Sequence, residues 1–445
     1  MNKEVKKGRK RKINIQKVFN LVSFTFLLAC VIFYGSRFIK LYIENNKVEK
    51  ITVLSDNIKD NNKDNQNFKE INEAYYFTND EENNYVEYSN ILWRIIKINK
   101  DKSVTVVADK AITSLAPGQN KKYDDTYINK WLNKSNENNT GILESNLNNI
   151  EKYLTYTETC KDTVTDTKNI TCKDKIKETY ITLPSIYDYV NTGGNNGFLN
   201  NEEYFYLANA NKDNNLMYID DTGKTNYTED EILGVKPVIT IKNTITLKEG
   251  NGSKENPYTF EDSKGLFGSY VKLGKDIWRV YNVTDNSIKL SLNDYLKLNN
   301  QEVKYKYSNN GYYHNDTTNG SLAYYLKNTY LTSLSYKNII NEDKFANGIY
   351  NNTTNYDYTK VLASTVDTKV GLLSIGDIFL NDETTNYYLS TGVSKDNNQI
   401  YVMESDYKLY TKVSTTNLKI VPTISIKKEI LTKGTGTSSD PYEVD

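Results

Sequence analysis

Histidine is almost absent from this sequence, which has a single one, His314, among 445 residues. A Ser–His–Asp or Cys–His centre needs a histidine base, and His314 lies between tyrosine and asparagine residues typical of a surface loop. No Gly-rich phosphate loop lies between an apparent strand and helix, and the glycines of Gly193–Gly197 are better explained as a turn. These scarcities predict no catalytic residue and no cofactor.

Cysteine is also scarce, with three residues in the chain. Cys160 and Cys172 lie in a polar stretch without a third cysteine or a histidine nearby, so they cannot complete a zinc tetrahedron. We predict a disulfide between them if the compartment is oxidising, worth about 3 kcal/mol for such a short loop. The oxygen-rich stretches Asn209–Asn215 and Asp220–Asn226 lack the closing acid of a calcium loop, so no metal site is expected.

Net charge is zero, but the basic residues are concentrated at the N-terminus. Residues 1–17 contain eight basic residues and one acidic residue, a net charge of +7 that leaves −7 for the rest of the chain. A nucleic-acid-binding body needs a basic face, so no nucleic-acid partner is expected. We interpret residues 1–17 as a basic cytoplasmic tail.

Long apolar runs are missing except for one, which follows this tail. Val18–Tyr34 contains no charged residue and is about the minimum length for a helix crossing a roughly 30 Å hydrocarbon core. The positive-inside rule keeps the tail in the cytoplasm, so residues 18–36 are predicted as a single transmembrane helix in the lipid bilayer. A cleaved signal peptide and a lipoprotein signal at Cys30 are the alternatives.

An internal duplication dominates the rest of the sequence. Trp93 and Trp278 stand 185 residues apart within similar segments, and so do Pro237 and Pro422. An equal offset at both ends of a long span predicts two whole domains in tandem. We assign residues 73–262 to the first copy and residues 263–445 to the second copy. The Asp/Asn/Lys-rich part of residues 37–72 predicts a flexible juxtamembrane stalk.

Each copy has the pattern of an α+β domain with mainly antiparallel sheets. Apolar and β-branched residues predict strand hairpins at 91–98 with 103–108 and at 276–283 with 287–292. Helices are expected at 126–134, 185–190, 320–329 and 374–380 from the apolar spacing. Pro237 and Pro422 confine the closing strands to sheet edges or to strand starts.

The ordered motifs resemble a domain of unknown function that is widespread on the surfaces of Firmicutes. The motifs are Trp93-Arg-Ile95, Trp131-Leu-Asn133, Tyr206-Leu207 and Gly234-Val-Lys-Pro-Val-Ile239, the last of which is reduced in the second copy to Val421-Pro422. That domain looks related to the formylglycine-generating-enzyme and C-type-lectin-like group, so the resemblance implies a C-type-lectin-like fold. Activity in that group depends on cysteines, which the second copy lacks.

Function is predicted as non-catalytic binding or adhesion at the cell surface, through a tandem ectodomain facing outward from the cell membrane. The ligand would be an unknown surface glycan or protein, contacted by tyrosines in Asn-rich loops, namely Tyr312, Tyr313, Tyr356 and Tyr358. The alternatives are a cell-envelope enzyme acting on wall glycans through carboxylates and a structural subunit of a surface assembly.

Overall fold

The structure is a computed structural model. It describes residues 16, 19–20, 23–26, 30–37, 52–118, 122–165, 170–228, 230–309, 320–350, 356–381, 386–394 and 398–444. By chain contacts the molecule divides into Met1–Ile51 and Thr52–Asp445.

Within the first unit, the described residues between 16 and 37 are helical. Residues 18, 21–22 and 27–29 of the predicted transmembrane segment lie outside the described residues. Across the described part of the chain, we find no helix with both the length and the apolar character needed to cross a bilayer. The bilayer anchor at 18–36 therefore stays a prediction.

The second unit is α+β with mainly antiparallel sheets, as the sequence predicts. Its helices are α1 (Leu54–Asn61), α2 (Tyr127–Leu132), α3 (Ile142–Asn146), α4 (Ile150–Tyr153), α5 (Ile186–Asn191), α6 (Leu322–Tyr325), α7 (Leu331–Ser333) and α8 (Tyr358–Ala363), with a π-helical turn at Leu326–Tyr330. The first fifteen strands are β1 (Phe68–Ile71), β2 (Ala74–Phe77), β3 (Tyr85–Tyr88), β4 (Ile91–Ile98), β5 (Val104–Ala108), β6 (Ser114–Leu115), β7 (Leu154–Thr155), β8 (Thr159–Cys160), β9 (Lys175–Ile176), β10 (Ile181–Thr182), β11 (Phe205–Ala210), β12 (Leu216–Ile219), β13 (Thr225–Thr228), β14 (Leu233–Gly234) and β15 (Val238–Ile241).

The remaining strands belong to the second copy. They are β16 (Tyr270–Leu273), β17 (Asp276–Val283), β18 (Ser287–Leu292), β19 (Lys297–Leu298), β20 (Gln301–Glu302), β21 (Lys304–Lys306), β22 (Asp343–Ala346), β23 (Thr365–Thr368), β24 (Val370–Leu372), β25 (Tyr387–Gly392), β26 (Gln399–Met403), β27 (Tyr410–Val413), β28 (Asn417–Lys419), β29 (Pro422–Lys427), β30 (Leu431–Lys433) and β31 (Tyr442–Val444). Both predicted hairpins form, since β4 pairs with β5 and β17 pairs with β18. Pro237 directly precedes β15 and Pro422 begins β29, so each proline stands at a strand start.

The two copies repeat one pattern of strand pairing. In the main sheet, β4, β5, β15 and β10 are adjacent in that order, and β17, β18, β29 and β24 repeat it. A smaller sheet has the order β13-β12-β11-β14-β6 in the first copy and β27-β26-β25-β28-β21 in the second. The register shifts after Ile95 in one main sheet and after Val280 in the other. These matched bulges extend the sequence repeat to the backbone.

The closing motifs also match. Gly252 accepts a hydrogen bond from the backbone of Tyr85, and Gly436 accepts one from Tyr270, both at 2.8 Å. Gly250 and Gly434, each two residues earlier in the chain, have φ values of 105° and 82°. A Cβ at either position would clash with the backbone carbonyl of the proline at the end of the same motif. Each Gly-x-Gly turn thus returns the chain to the opening strand of its own copy.

Residues 54–71 are folded rather than a flexible stalk, so that prediction is wrong. Leu54 and Ile58 on α1 are buried, and the backbone of Leu54 donates to Ile245. The hairpin of β1 and β2 extends the sheet of the first copy through β4. Two apolar residues on one face of a short helix are enough to dock it, although the segment is polar overall.

One hydrophobic core spans both copies. It contains buried residues of the first copy together with buried residues of the second, among them Tyr281, Tyr350, Leu373 and Phe379. A smaller core lies wholly within the second copy. The predicted helix at 374–380 is instead a turn, and the backbone of Phe379 there donates to Ile112. Docking against the first copy takes the place of helical hydrogen bonding in this segment.

The copies differ where the second one rests on the first. In the first copy, the hydroxyl of Ser114 on β6 donates to the carbonyl of Tyr407 at 2.8 Å. The equivalent strand of the second copy, β21, is preceded by an inserted hairpin of β19 and β20. Lys304 and Lys419 stand there in place of Ser114 and Gly234.

Candidate functional site

A cleft of about 560 Å³ lies in the first copy, within the size range of ligand-binding sites. Its floor is formed by β2, β4 and the first turn of α5. One wall is formed by the polar segment that contains Cys160 and Cys172. Most of its lining side chains are polar or charged, and several are tyrosines.

A buried ion pair forms the floor. The Nζ of Lys97 on β4 lies 2.7 Å from a carboxylate oxygen of Asp188 on α5, and their side chains are only 10% and 6% exposed. Lys97 also donates to the hydroxyl of Tyr76 at 3.1 Å. The other carboxylate oxygen of Asp188 accepts from Ser185, which caps α5. Sheet, helix and N-terminal hairpin therefore meet at one charge pair.

The contacts within this buried group have a larger combined effect on the pKa values of Lys97 and Asp188 than burial has. Burial alone disfavours the charged lysine, but Asp188 and Tyr76 raise the pKa of Lys97 above its ordinary value. Burial would raise the pKa of Asp188, yet Lys97 and the hydrogen bonds from Ser185 hold it below its usual range. For Tyr76, burial and then Asp188 raise the pKa. Lys97 and Asp188 are thus charged and Tyr76 is neutral near pH 7.

The predicted disulfide is confirmed, because Cys160 and Cys172 are bonded in the wall of the cleft. Beside the bond, β8, which ends at Cys160, pairs with β9, which follows Cys172. The side chain of Asn209 donates to the carbonyls of Cys160 and Asp162, each at 3.0 Å. The ring of Tyr156, which is 46% exposed, packs edge-on against Tyr180 at the start of this wall. The cross-link and these contacts hold the wall against the sheet.

Exposed ion pairs border the cleft. Lys100 lies 2.7 Å from Glu73, and Lys175 lies 2.9 Å from Glu158. All four side chains are largely exposed, so these pairs contribute little to stability. They remain available for contacts with a polar ligand.

Part of the equivalent surface of the second copy contacts the first copy. Gly376 and Asp377 correspond to Tyr187 and Asp188, as the Ser185–Asp188 cap recurs at Ser374 and Asp377. The indole of Trp131 donates to the carbonyl of Gly376, and the hydroxyl of Thr113 donates to that of Asp377, both at 2.8 Å. The position of Lys97 is taken by Asn282, which like Lys97 follows the bulge.

Two of the predicted ligand-contact tyrosines, Tyr356 and Tyr358, lie outside the lining of the cleft. Tyr358 is fully buried at the start of α8 with its ring 6.1 Å from that of Tyr127, so its predicted exposure is wrong. Tyr356 is partly buried, its ring 5.2 Å from that of Tyr350. Contact between the copies accounts for both positions, because Tyr350 also accepts a hydrogen bond from the backbone of Ala116. Tyr312 and Tyr313, with His314, lie outside the described residues.

Sequence reasoning missed Lys97 and Asp188. A lysine inside a largely apolar strand was one available signal, because a buried lysine needs a partner. The spacing of Ser185 and Asp188 was a second signal, typical of a helix N-terminus. Neither signal connects the two residues, since they lie 91 positions apart.

Comparison with known proteins adds no assignment: the chain matches no protein-family model and no curated protein, and its fold matches no solved structure.

Proposed function

We propose that this chain is a bacterial surface protein whose duplicated ectodomain binds a ligand and does not catalyse a reaction. The proposed binding site is the cleft of the first copy. The proposed anchor is the segment at 18–36, with the N-terminus in the cytoplasm. The resemblance of the repeat motifs to a Firmicutes surface domain points in the same direction. One observation carries the proposal: the first copy leaves a cleft beside the turn at Tyr187 and Asp188, whereas the equivalent turn of the second copy is in contact with the first copy.

A protein segment is the ligand that this comparison favours. In the second copy, the equivalent turn accepts hydrogen bonds from an indole and a hydroxyl of the first copy, at Gly376 and Asp377. The cleft in the first copy adds charges of both signs and the exposed ring of Tyr156. Such a surface suits a polar polypeptide with an aromatic side chain.

The state of Asp188 argues for binding over hydrolysis at this cleft. A glycosidase needs one carboxylic acid with a raised pKa as proton donor. Asp188 is the buried carboxylate of the floor, and its pKa is lowered by Lys97 despite the burial. It is therefore poorly suited to donate a proton near neutral pH.

Binding is tested by presenting the full chain to arrays of surface proteins and, separately, of cell-wall glycans. We expect binding to proteins, reduced at least tenfold by Tyr156→Ala. The matched control is Tyr227→Ala, because Tyr227 on β13 is 41% exposed and lies outside the cleft lining. Binding to glycans alone would show that the ligand is a glycan rather than a protein. An equal loss of binding in both variants would show that the cleft is not the binding site.

Topology is tested by protease treatment of intact cells. We expect cleavage of the chain beyond residue 52 without lysis. A chain that is cut only after the cells are lysed would rule out the proposed outward orientation.

A further inference from the structure

A second buried group of reactive side chains lies in the first copy, away from the cleft lining. Lys236 precedes Pro237 and β15, and its side chain is 1% exposed. Its Nζ lies 3.1 Å from the carboxamide oxygen of Asn201 and 3.6 Å from a carboxylate oxygen of Glu203. Glu202, between these two partners, has a φ of 63°, a left-handed turn that brings both neighbours to the lysine.

An aromatic ring and hydrogen bonds to the backbone hold this group in place. The ring centroid of Phe205 lies 5.0 Å from the Nζ of Lys236. The carboxylate oxygen of Glu203 that faces the lysine also accepts a hydrogen bond from the backbone of Ala111 at 3.0 Å, which fixes the carboxyl group in place. The side chain of Asn201 donates to the carbonyl of Asp109 at 3.0 Å, so its carboxamide is held as well.

Burial moves both ionisable groups toward their neutral forms, in contrast to the pair in the cleft. Burial lowers the pKa of Lys236, although the charges of Glu203 and Asp109 oppose the shift. Burial raises the pKa of Glu203, although Lys236 and the hydrogen bond from Ala111 oppose it. Both shifts favour the form in which the proton is on the carboxyl group and the amine is neutral, and the neutral amine is the form that can act as a nucleophile.

We propose that Lys236 and Asn201 form an intramolecular amide cross-link, with Glu203 as the proton carrier. The lone pair of Nζ attacks the Cγ of Asn201, and the bond between Cγ and the carboxamide nitrogen breaks. The proton lost by Nζ passes through Glu203 to the departing nitrogen, which leaves as ammonia. Glu203 ends in its initial state, and the step needs no oxidant, reductant or second substrate.

The bond would join the loop before β11 to the start of β15, a central strand of the main sheet. The cross-link is confined to the first copy, because Val421 occupies the position of Lys236 in the second. The same substitution indicates that the fold accommodates an apolar residue there. This inference does not depend on the ligand proposed for the cleft.

Mass spectrometry of the intact, reduced full chain tests the cross-link. We expect a mass lower than that of the sequence by one ammonia molecule, and a branched peptide joining Asn201 to Lys236 after digestion. Succinimide formation at an asparagine releases the same mass, so the branched peptide is required. An unchanged mass, a loss of water, or an ammonia loss that maps elsewhere would overturn the proposal.

Variants separate the three roles. Lys236→Val, which introduces the residue of the second copy, and Glu203→Gln should each restore the full sequence mass. Asn201→Ala, in a partly exposed loop, gives an independent test if either buried variant fails to fold. The exposed Lys100→Ala is the matched control and should retain the complete ammonia loss. Loss of the branched peptide in Lys100→Ala, or its persistence in Glu203→Gln, would contradict the proposed mechanism.

Discussion

At one place in the main sheet the first copy has Lys97, paired with Asp188, whereas the second has Asn282. The equivalent carboxylate of the second copy, Asp377, lies in a turn that contacts the first copy. The strand order around the two places is the same. The pKa values of the two carboxyl groups nevertheless shift in opposite directions. Lys97 holds the pKa of Asp188 low, whereas burial raises the pKa of Asp377. Duplication has kept the backbone while the environment of equivalent side chains has diverged.

The two copies share one strand order, but the surfaces around the equivalent turns are in different environments. In the second copy the turn at 374–380 is a contact within the molecule, because Trp131 and Thr113 of the first copy donate to it. In the first copy the N-terminal hairpin covers part of the equivalent face, where Asn72 donates to the hydroxyl of Tyr187. The remaining part is the cleft.

The largest effect is expected at Trp131, which joins the two copies. Trp131→Ala should lower the free energy of unfolding by about 3–5 kcal/mol, because it removes a fully buried ring and a hydrogen bond to the second copy. Urea denaturation followed by circular dichroism should give one transition for wild type and variant. Leu326→Ala, which truncates a fully buried side chain in the second copy's own core, is the control. Separate transitions for the two copies would contradict a shared core.

Next in size is the contrast between Asp188 and Asp377. Asp188→Asn should cost about 3–5 kcal/mol at pH 7, because it leaves Lys97 buried without its counter-charge. Asp377→Asn should cost about 1 kcal/mol or less, because its carboxylate is disfavoured by burial. Denaturation at pH 7 measures both, and equal costs would break the proposed contrast.

The pH dependence of these two variants should have opposite signs. The lowered pKa of Asp188 gives stability that is present above its unfolded pKa of about 4 and is lost as pH falls through the folded value. The raised pKa of Asp377 instead reduces stability as pH rises from about 4 through its folded value. Stability relative to wild type should therefore improve on acidification for Asp188→Asn and worsen for Asp377→Asn.

A smaller loss of stability, equal in the two copies, is expected when the first glycine of each Gly-x-Gly turn is replaced. Gly250→Ala and Gly434→Ala should each cost about 1–3 kcal/mol, because both positions have a positive φ and face the carbonyl of a proline. Thermal unfolding of the two variants provides the measurement. A cost confined to one copy would show that the closing turns are not equivalent.

The smallest effect is expected at the exposed ion pairs. Lys100→Ala in the first copy and Lys272→Ala in the second, whose partner Glu443 lies 2.8 Å away, should each change stability by no more than about 1 kcal/mol. Added salt should reduce both differences. A larger change for Lys100→Ala would indicate that the rim of the cleft has a structural role.

Local pattern was sufficient for much of the fold. The β-branched residues around Trp93 and Trp278 predict the first strand of each hairpin, β4 and β17, with the bounds that the structure has, 91–98 and 276–283. The polar setting of Cys160 and Cys172 predicts their disulfide. Each of these predictions depends on residues near in sequence, where periodicity and spacing are directly informative.

Contacts between distant segments could not be predicted in the same way. Nothing in the polar stretch after Val53 indicates that Leu54 and Ile58 dock beside Ile245. Tyr358 stands in an Asn-rich stretch typical of a surface loop, but packing against the first copy buries it. The floor of the cleft was missed for the same reason, because a charge pair is visible only once strand and helix are adjacent.

The inserted hairpin of β19 and β20 bears on how many modules such a chain can hold. The first copy offers small residues at β6 and β14, and the second copy rests on that edge. At the matching edge of the second copy, Lys304 and Lys419 stand beside the hairpin, with Lys419 3.4 Å from Glu302. A further module stacking on this edge would have to desolvate these charges, so the edge is less suited to receiving another module than the edge formed by β6 and β14 in the first copy.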